Sequence, residues 1–238
     1  MNSIAENIKR LEERIEKAAW KSGRKREDIT LVAVTKTVEP ERINQAIDAG
    51  IKIIGENRIQ EAQDKFKFIT RDVEKHLVGH LQTNKVKKAL ELFNLIQSLD
   101  SLHLAQEVSK RAKSIKALRP VGEKGKFAEV LIEVNTSDEP SKYGVKPDEV
   151  SGFVEEVSKL ENIKIKGLMT VGLFTDDLEK VRPCFLKLRK IFESLKNLKR
   201  ENIEMRYLSM GMSSDFEMAI EEGANMIRVG TAIFGPSR

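Results

Sequence analysis

The sequence predicts a single (β/α)8 TIM barrel, and three observations carry that reading. Eight short segments are continuously aliphatic and β-branched, each separated from the next by an amphipathic stretch of helical period. Strands that are apolar on both faces belong in buried parallel sheets, and eight βα units in succession argue for closure into a barrel. Only nine residues follow the eighth strand, too few for an eighth outer helix, while an extra helix precedes the first strand and can take that place in the ring. No long linker or shift of composition marks a second domain, so residues 1–238 read as one domain.

The elements follow in order. The opening helix spans Ser3 to Lys21, with Ile4, Ile8, Leu11, Ile15 and Ala18 or Ala19 on one face. Ser3 reads as its N-cap, and Glu6 three residues on completes the signature of a capping box. Thr30 to Thr35 is a compact buried strand; Pro40 then starts a helix that Gly50 ends, and Ile51 to Gly55 is the second strand. A helix from about Arg58 to Phe68 leads to strand His76–Gly79, and a helix from Thr83 to Leu92 leads to strand Leu95–Ser98. Helix Ser101 to Ile115 and a loop from Lys116 to Lys126, carrying Pro120, Gly122 and Gly125, precede strand Ala128–Val134. A loop through Pro140 and Gly144, helix Pro147 to Leu160 and strand Ile165–Met169 come next. The long helix Leu178 to Leu198, strand Glu204–Leu208, helix Ser214 to Glu222 and strand Met226–Val229 complete the pattern.

Composition excludes several classes. With 40% hydrophobic and 33% charged residues, the chain is neither disordered nor threaded through a membrane as helices, because its apolar runs stop far short of a spanning length. The start, Met1 to Glu6, has no apolar signal core, so a cytoplasmic location is expected. Cys184 is the single cysteine, which excludes a disulfide framework and any metal site of several thiolates. A net charge of +5 invites comparison with nucleic-acid binders. Acids and bases nevertheless alternate along most segments, the densest basic stretch is only Lys85 to Lys88, and aromatics make up 5%, leaving few stacking platforms. The expectation is therefore no nucleic-acid partner and no membrane partner, with a modest positive field that suits a phosphorylated small molecule.

In such barrels the chemistry sits at the C-terminal ends of the strands. Those positions hold Lys36; Glu56 and Asn57; His80; Asp100; Asn135; Met169 and Thr170; Ser209, Met210 and Gly211; and Arg228 with Gly230 and Thr231. Lys36 directly follows an apolar strand, where a confined, partly desolvated pocket would free its amine as a nucleophile towards carbonyls; the alternative is a lysine that merely snorkels at a strand end. Ser209 to Asp215 is a run of small residues leading into a helix, where Ser213 or Ser214 could cap that helix or bind an anion. Arg228-Val229-Gly230-Thr231 supplies a second glycine and hydroxyl after the eighth strand, and loops seven and eight are the recurrent phosphate site of these barrels. His80 reads as an acid/base, a ligand or a cap for the helix that follows it. His76 and His103 read as surface residues, Cys184 as a packed or surface thiol, and no pair of histidines has metal-ligand spacing, so no metal site is expected.

The segments are more specific than any single residue. Val34-Thr35-Lys36-Thr37, Gly55-Glu56-Asn57-Arg58-Ile59-Gln60-Glu61 and His80-Leu81-Gln82-Thr83-Asn84-Lys85 strongly resemble the pyridoxal phosphate homeostasis protein family. So do Leu168-Met169-Thr170, the run Leu208 to Asp215 and the run Arg228 to Gly235, in order and without a missing block. The resemblance implies a barrel like the N-terminal domain of bacterial alanine racemases, the type III fold of pyridoxal 5'-phosphate (PLP) proteins, with PLP held as a Schiff base on Lys36. It further implies that Arg228 faces the pyridine nitrogen, that Ser213, Ser214, Gly230 and Thr231 hold the phosphate, and that Asn57 lies beside the ring.

The chemistry of those residues agrees with a non-catalytic role. An arginine keeps its proton, so opposite the pyridine nitrogen it leaves that nitrogen unprotonated and the ring a weaker electron sink than one facing a carboxylate. Alanine racemases also take a catalytic tyrosine from a C-terminal β domain; this chain ends at Arg238 without one, and neither Tyr143 nor Tyr207 sits in a motif for that role. The expectation is a PLP-binding protein of vitamin B6 homeostasis, without substrate turnover, monomeric, with apo PLP-dependent enzymes as recipients. Two enzymatic alternatives stand beside it: a PLP-dependent amino-acid racemase or related enzyme with His80 as its second base, and a cofactor-free lyase of the aldolase kind acting through Lys36.

Overall fold

A computed structural model of the chain describes residues 3–115, 127–139, 141–175 and 177–236. Its centre is a closed barrel of eight parallel strands in sequence order. These are β1 (Thr30–Val34), β2 (Ile53–Glu56), β3 (Glu74–Leu77), β4 (Leu95–Leu99), β5 (Ala128–Glu133), β6 (Ile163–Met169), β7 (Ile203–Ser209) and β8 (Met226–Val229). Closure is made by β8 against β1, with Thr30 to Ala33 in register with Met226 to Val229. The helices α1 (Ile4–Lys21), α2 (Pro40–Asp48), α3 (Ile59–Phe66), α4 (Val86–Leu92), α5 (Leu102–Ile115), α6 (Val150–Ser158), α7 (Leu178–Leu195), α8 (Phe216–Glu221) and the short α9 (Thr231–Phe234) connect and surround the strands. Among the described residues, no helix is long and apolar enough to cross a membrane.

The opening helix fills the place the sequence assigns to it. Ser3 and Glu6 form the reciprocal capping box, the Glu6 N–H donating to Ser3 Oγ at 3.2 Å and the Ser3 N–H to Glu6 Oε2 at 2.9 Å. The buried stripe Ile4, Ile8, Leu11, Ile15, Ala18 and Ala19 packs α1 against α8, α9 and α2. Asn7 Nδ2 donates to the Ile233 carbonyl at 2.9 Å, tying the chain's first helix to its last. Burying each of the large aliphatic side chains in this stripe stabilises the fold by about 1.5–3 kcal/mol relative to leaving it in water.

Several boundaries move for identifiable reasons. Ile51 and Lys52 precede β2, which starts at Ile53: the Ile51 N–H donates back to the Ala46 carbonyl at 3.1 Å, closing the turn after α2 around Gly50, whose φ is +108°. Residues 83–85 form a separate 3-10 turn ahead of α4. Residues 146–149 form a turn, the Glu149 N–H donating to the Lys146 carbonyl, so α6 starts only at Val150. The loop expected from Lys116 to Lys126 lies outside the described residues.

The sheet is irregular where β6 meets its neighbours, with register shifts beside Leu131 and at Gly167. Gly167 has φ +146°, and a Cβ there would lie 1.9 Å from the Tyr207 carbonyl oxygen, so only glycine permits this approach of β6 to β7. Gly167→Ala is expected to destabilise the protein by about 3 kcal/mol or more, read as a lowered urea midpoint.

The core has two layers. One lies between the sheet and the helices; the other fills the barrel and comprises Val32, Leu95, Leu131, Met169 and Met226. Polar side chains share that inner layer, and one of them corrects the sequence reading. His76, read as a surface residue, is only 1% exposed and points into the barrel, where its ring nitrogens meet Gln97 and Glu74. The strand begins two residues earlier than expected, at Glu74, and parity along it sends His76 inward. His103 is exposed, and Cys184 is a buried free thiol on α7.

Candidate functional site

The C-terminal ends of the strands converge on one mouth. Arg228 on β8 is 4% exposed, its Nη1 donating to Ser209 Oγ at 2.7 Å and its Nη2 to the Thr170 carbonyl at 2.7 Å. Burial pushes this guanidinium down to about 10, opposed by the nearby carboxyls of Glu133 and Asp215, so it remains a cation at neutral pH. Thr170 is itself fixed, its hydroxyl donating to the Val134 carbonyl at 2.8 Å and meeting Thr136 at 2.9 Å.

Asn57 directly follows β2, and its Oδ1 is buried with no hydrogen-bond partner. An orphaned buried acceptor costs about 1–3 kcal/mol, which a polar ligand group at this position would offset. The strand ends here approach so closely that a Cβ on Gly79 would lie 2.3 Å from the Asn57 carbonyl oxygen. Gly79 therefore lets β3 press on the backbone of Asn57 and hold it in place.

Lys36 lies two residues beyond β1, and its side chain is exposed. Of the two readings of Lys36, this exposure is that of a lysine at a strand end and not of an amine in a desolvated pocket. What the fold provides is a clamp on the backbone. Lys65 Nζ on α3 donates to the Thr35 carbonyl at 2.6 Å, and the Thr37 N–H donates to Glu61 Oε1 at 2.5 Å. Lys65 closes the arrangement by pairing with Glu61 at 2.6 Å and with the buried Glu56 at 2.8 Å, whose Oε1 also accepts from the Thr35 hydroxyl at 2.7 Å. Thr37 adopts φ +60°, a left-handed conformation that a non-glycine residue takes only when its surroundings enforce it. The peptide groups on both sides of Lys36 are thus tied to one helix. Sequence reading passed over Glu61 and Lys65 because an acid and a base four residues apart on a helix look like a surface pair.

Removing the clamp has a defined consequence. Lys65→Met is expected to leave Glu56 buried without its cation, pushing a carboxyl that burial already holds above the usual carboxylate range further up and destabilising the fold by about 3–5 kcal/mol. Lys65→Arg should recover most of this loss in a urea titration.

Ser213 and Ser214 stand in the loop between β7 and α8, with Gly230 and Thr231 across from them after β8. Ser213 does not cap α8. Its Oγ accepts from the Gly230 N–H at 3.2 Å and the Ala232 N–H at 3.4 Å, stitching the two loops together at the start of α9. Asp215 stands at the N-cap position of α8 without a side-chain cap; its carboxylate turns back to accept from the Met212 N–H. Ser214 and Thr231 are exposed. Paired loops of small residues and hydroxyls are suited to an anion.

His80 pairs its Nδ1 with Asp100 Oδ2 at 3.1 Å and stacks on Tyr143, with ring centroids 3.7 Å apart and planes inclined by 11°. It caps no helix, since the Thr83–Lys85 turn has no side-chain cap. A carboxylate on Nδ1 fixes the tautomer and leaves Nε2 to exchange protons. Asn135, also read from its strand end, is engaged within its own loop, donating to the carbonyls of Glu139 and Lys142. Met169 is part of the inner core.

Glu133, at the end of β5, is a residue sequence reading passed over. Burial, reinforced by Asp100 and opposed by Arg228, raises it to about 7 from an ordinary 4.5. Between those two values the folded protein holds a proton that the unfolded chain has lost, so stability falls as pH rises through that window. Relative to wild type, Glu133→Gln is expected to gain about 3 kcal/mol above neutral pH and almost nothing near about pH 4, as read from urea unfolding at the two values.

The geometry can now be set beside known proteins. The family model for the alanine racemase N-terminal domain matches residues 1–238. The pyridoxal phosphate homeostasis protein of Aquifex aeolicus is 42% identical over 234 residues, covering 98% of each chain. That of Escherichia coli K12 is 36% identical over 239 residues, covering 99% of this chain and 97% of its own. The structure of PipY from Synechococcus elongatus with PLP bound is 31% identical, superposes with a TM-score of 0.81 and covers 98% of this chain and all of its own. An alanine racemase of Clostridium difficile shares the fold at 15% identity, with a TM-score of 0.73 over 98% of this chain and 56% of its own. Matched over its whole length in sequence and fold, the chain belongs to the pyridoxal phosphate homeostasis protein family, on the scaffold of the alanine racemase N-terminal domain.

Proposed function

We propose that this protein binds PLP in the mouth of its barrel, covalently on the amine of Lys36, and serves PLP homeostasis without turning over a substrate. Arg228 carries this reading. It is a buried cation pinned by Ser209 and Thr170 in the strand that leads into the small-residue anion corner. Opposite a pyridine nitrogen it donates a hydrogen bond and gives up no proton. PLP, when bound, supplies an aldehyde and an electron sink, and this arginine keeps the sink weak. Lys36 contributes the amine that condenses with the aldehyde, releasing one water; the clamp from Lys65 and Glu61 fixes the backbone from which it reaches. Asn57 offers its unpaired Oδ1 beside the ring, and Ser213, Ser214, Gly230 and Thr231 receive the phosphate. The proposed setting is the cytoplasm, with the protein acting as a monomer that delivers PLP to apo-enzymes.

The His80–Asp100 pair supports a second reading, a racemase or related enzyme in which His80 moves the α-proton of a bound amino acid. One experiment separates the two. The PLP-loaded protein is incubated with L-alanine and other L-amino acids in deuterated water, and α-deuterium and D-isomers are followed. The carrier reading expects neither to exceed free PLP by more than about tenfold, about 1.4 kcal/mol of barrier. Rapid exchange that disappears in His80→Ala would establish the enzyme instead.

A further inference from the structure

A hydrogen-bonded chain runs from Arg228 through the interior of the barrel to its opposite face. Arg228 Nη1 donates to Ser209 Oγ at 2.7 Å, and the Ser209 hydroxyl donates to Gln97 Oε1 at 2.7 Å. Gln97 Nε2 meets His76 Nδ1 at 2.9 Å, and His76 Nε2 meets Glu74 Oε1 at 2.8 Å. Ser209 and Gln97 are fully buried and His76 is 1% exposed, whereas the Glu74 side chain at the far end is 48% exposed. The links join β8, β7, β4 and β3, so the step from Ser209 to Gln97 crosses the lumen. The second amide hydrogen of Gln97 is also placed, on Met226 Sδ at 3.3 Å.

The two ends dictate the direction of every hydrogen between them. A guanidinium has only donors and a carboxylate only acceptors. Ser209, accepting from Arg228, spends its one hydrogen on Gln97 Oε1. That orientation turns the amide nitrogen of Gln97 to His76, whose Nδ1 must accept. The imidazole hydrogen is left on Nε2 and goes to Glu74. Five side chains are thereby locked into one polarity within an apolar lumen, where unpaired alternatives are costly.

We infer that Gln97 and His76 are positioning residues for Arg228: they aim the Ser209 hydroxyl away from the guanidinium and fix its remaining N–H groups towards the mouth. That this orientation matters to a pyridine nitrogen rests on the proposed function; the chain itself does not. The arrangement requires neutral His76. His76 itself meets Glu74 and Gln97; Glu74 in turn feels Arg206, Tyr207 lies among Arg206, Glu74, Glu129 and Glu204, and at the other end of the chain Arg228 feels Glu133 and Asp215.

Two substitutions test this, each with its own readout. Gln97→Glu keeps the acceptor for Ser209 and removes the donor to His76, which must then hold both ring protons between two carboxylates. Histidine 15N spectra of the protein without PLP should show the Nε2–H tautomer in wild type, and in Gln97→Glu an imidazolium persisting about one pH unit higher or more. An unchanged His76 in Gln97→Glu would break the chain as drawn, whatever the protein binds. Gln97→Met removes both links. It is expected to weaken PLP binding about tenfold and to shift the absorbance of the bound cofactor, while Gln97→Glu restores affinity to within about threefold of wild type. Unchanged affinity and spectrum in Gln97→Met would overturn the positioning role. Failure of wild type to bind PLP, with the His76 result intact, would count against the proposed function and not against the chain.

Discussion

Lys36→Ala is expected to lose the violet-edge absorbance that PLP acquires on condensing with a protein amine, and to weaken PLP binding by about a hundredfold, or about 2.8 kcal/mol. The two parts of this result have separate origins. Absorbance reports the covalent bond, which no side chain other than an amine can make. Residual affinity reports the contacts proposed for the rest of the cofactor: Arg228, Asn57 and the anion corner of Ser213, Ser214, Gly230 and Thr231. The fold should survive, because Lys36 is exposed and the clamp from Lys65 and Glu61 grips the peptides on either side of it rather than its side chain. An absorbance titration beside a urea titration of the same variant checks both statements. Unchanged absorbance would move the attachment point elsewhere.

Pyridoxal, which lacks the phosphate, is expected to bind at least about tenfold to a hundredfold more weakly than PLP. One charge-assisted hydrogen bond is worth roughly 1.5–3 kcal/mol, and the proposed corner offers the phosphate more than one hydroxyl. Ser213→Ala should reproduce part of that loss for PLP and little of it for pyridoxal. Its hydroxyl accepts from the Gly230 and Ala232 N–H groups, so its removal loosens the corner proposed to receive the phosphate. Equal affinity for the two compounds, measured by competition, would place the phosphate somewhere else.

The barrel was legible in the sequence because its information is local. The Ser3–Glu6 capping box, the stripe along α1 and the β-branched run of β1 each lie within one element, and parity or a 3.6-residue period reads them directly. The strand-end residues were legible for the same reason: once the strands are placed, Lys36, Asn57 and Arg228 follow by position. His76 was not. Preceded by Glu74 and Lys75, it has the look of a surface residue, and the partner that makes its burial tolerable, Gln97, is on the next strand. Ser209 and Gln97 meet across the lumen from positions 112 residues apart, a distance no pattern spans. The Lys65 clamp and the reach of Ser213 to α9 escaped in the same way, since each side chain serves an element other than its own. Exposure of Lys36 escaped because a strand end fixes direction and not depth.

The central claim is the attachment of PLP to Lys36, and reduction followed by peptide mapping tests it most directly. The protein is loaded with PLP, reduced with borohydride, digested and analysed by mass spectrometry for the stable pyridoxyl adduct. The adduct is expected on the peptide containing Lys36, at close to one per chain, and absent from Lys36→Ala. An adduct on Lys65 or any other lysine in the wild-type protein, or none at all, would contradict that claim.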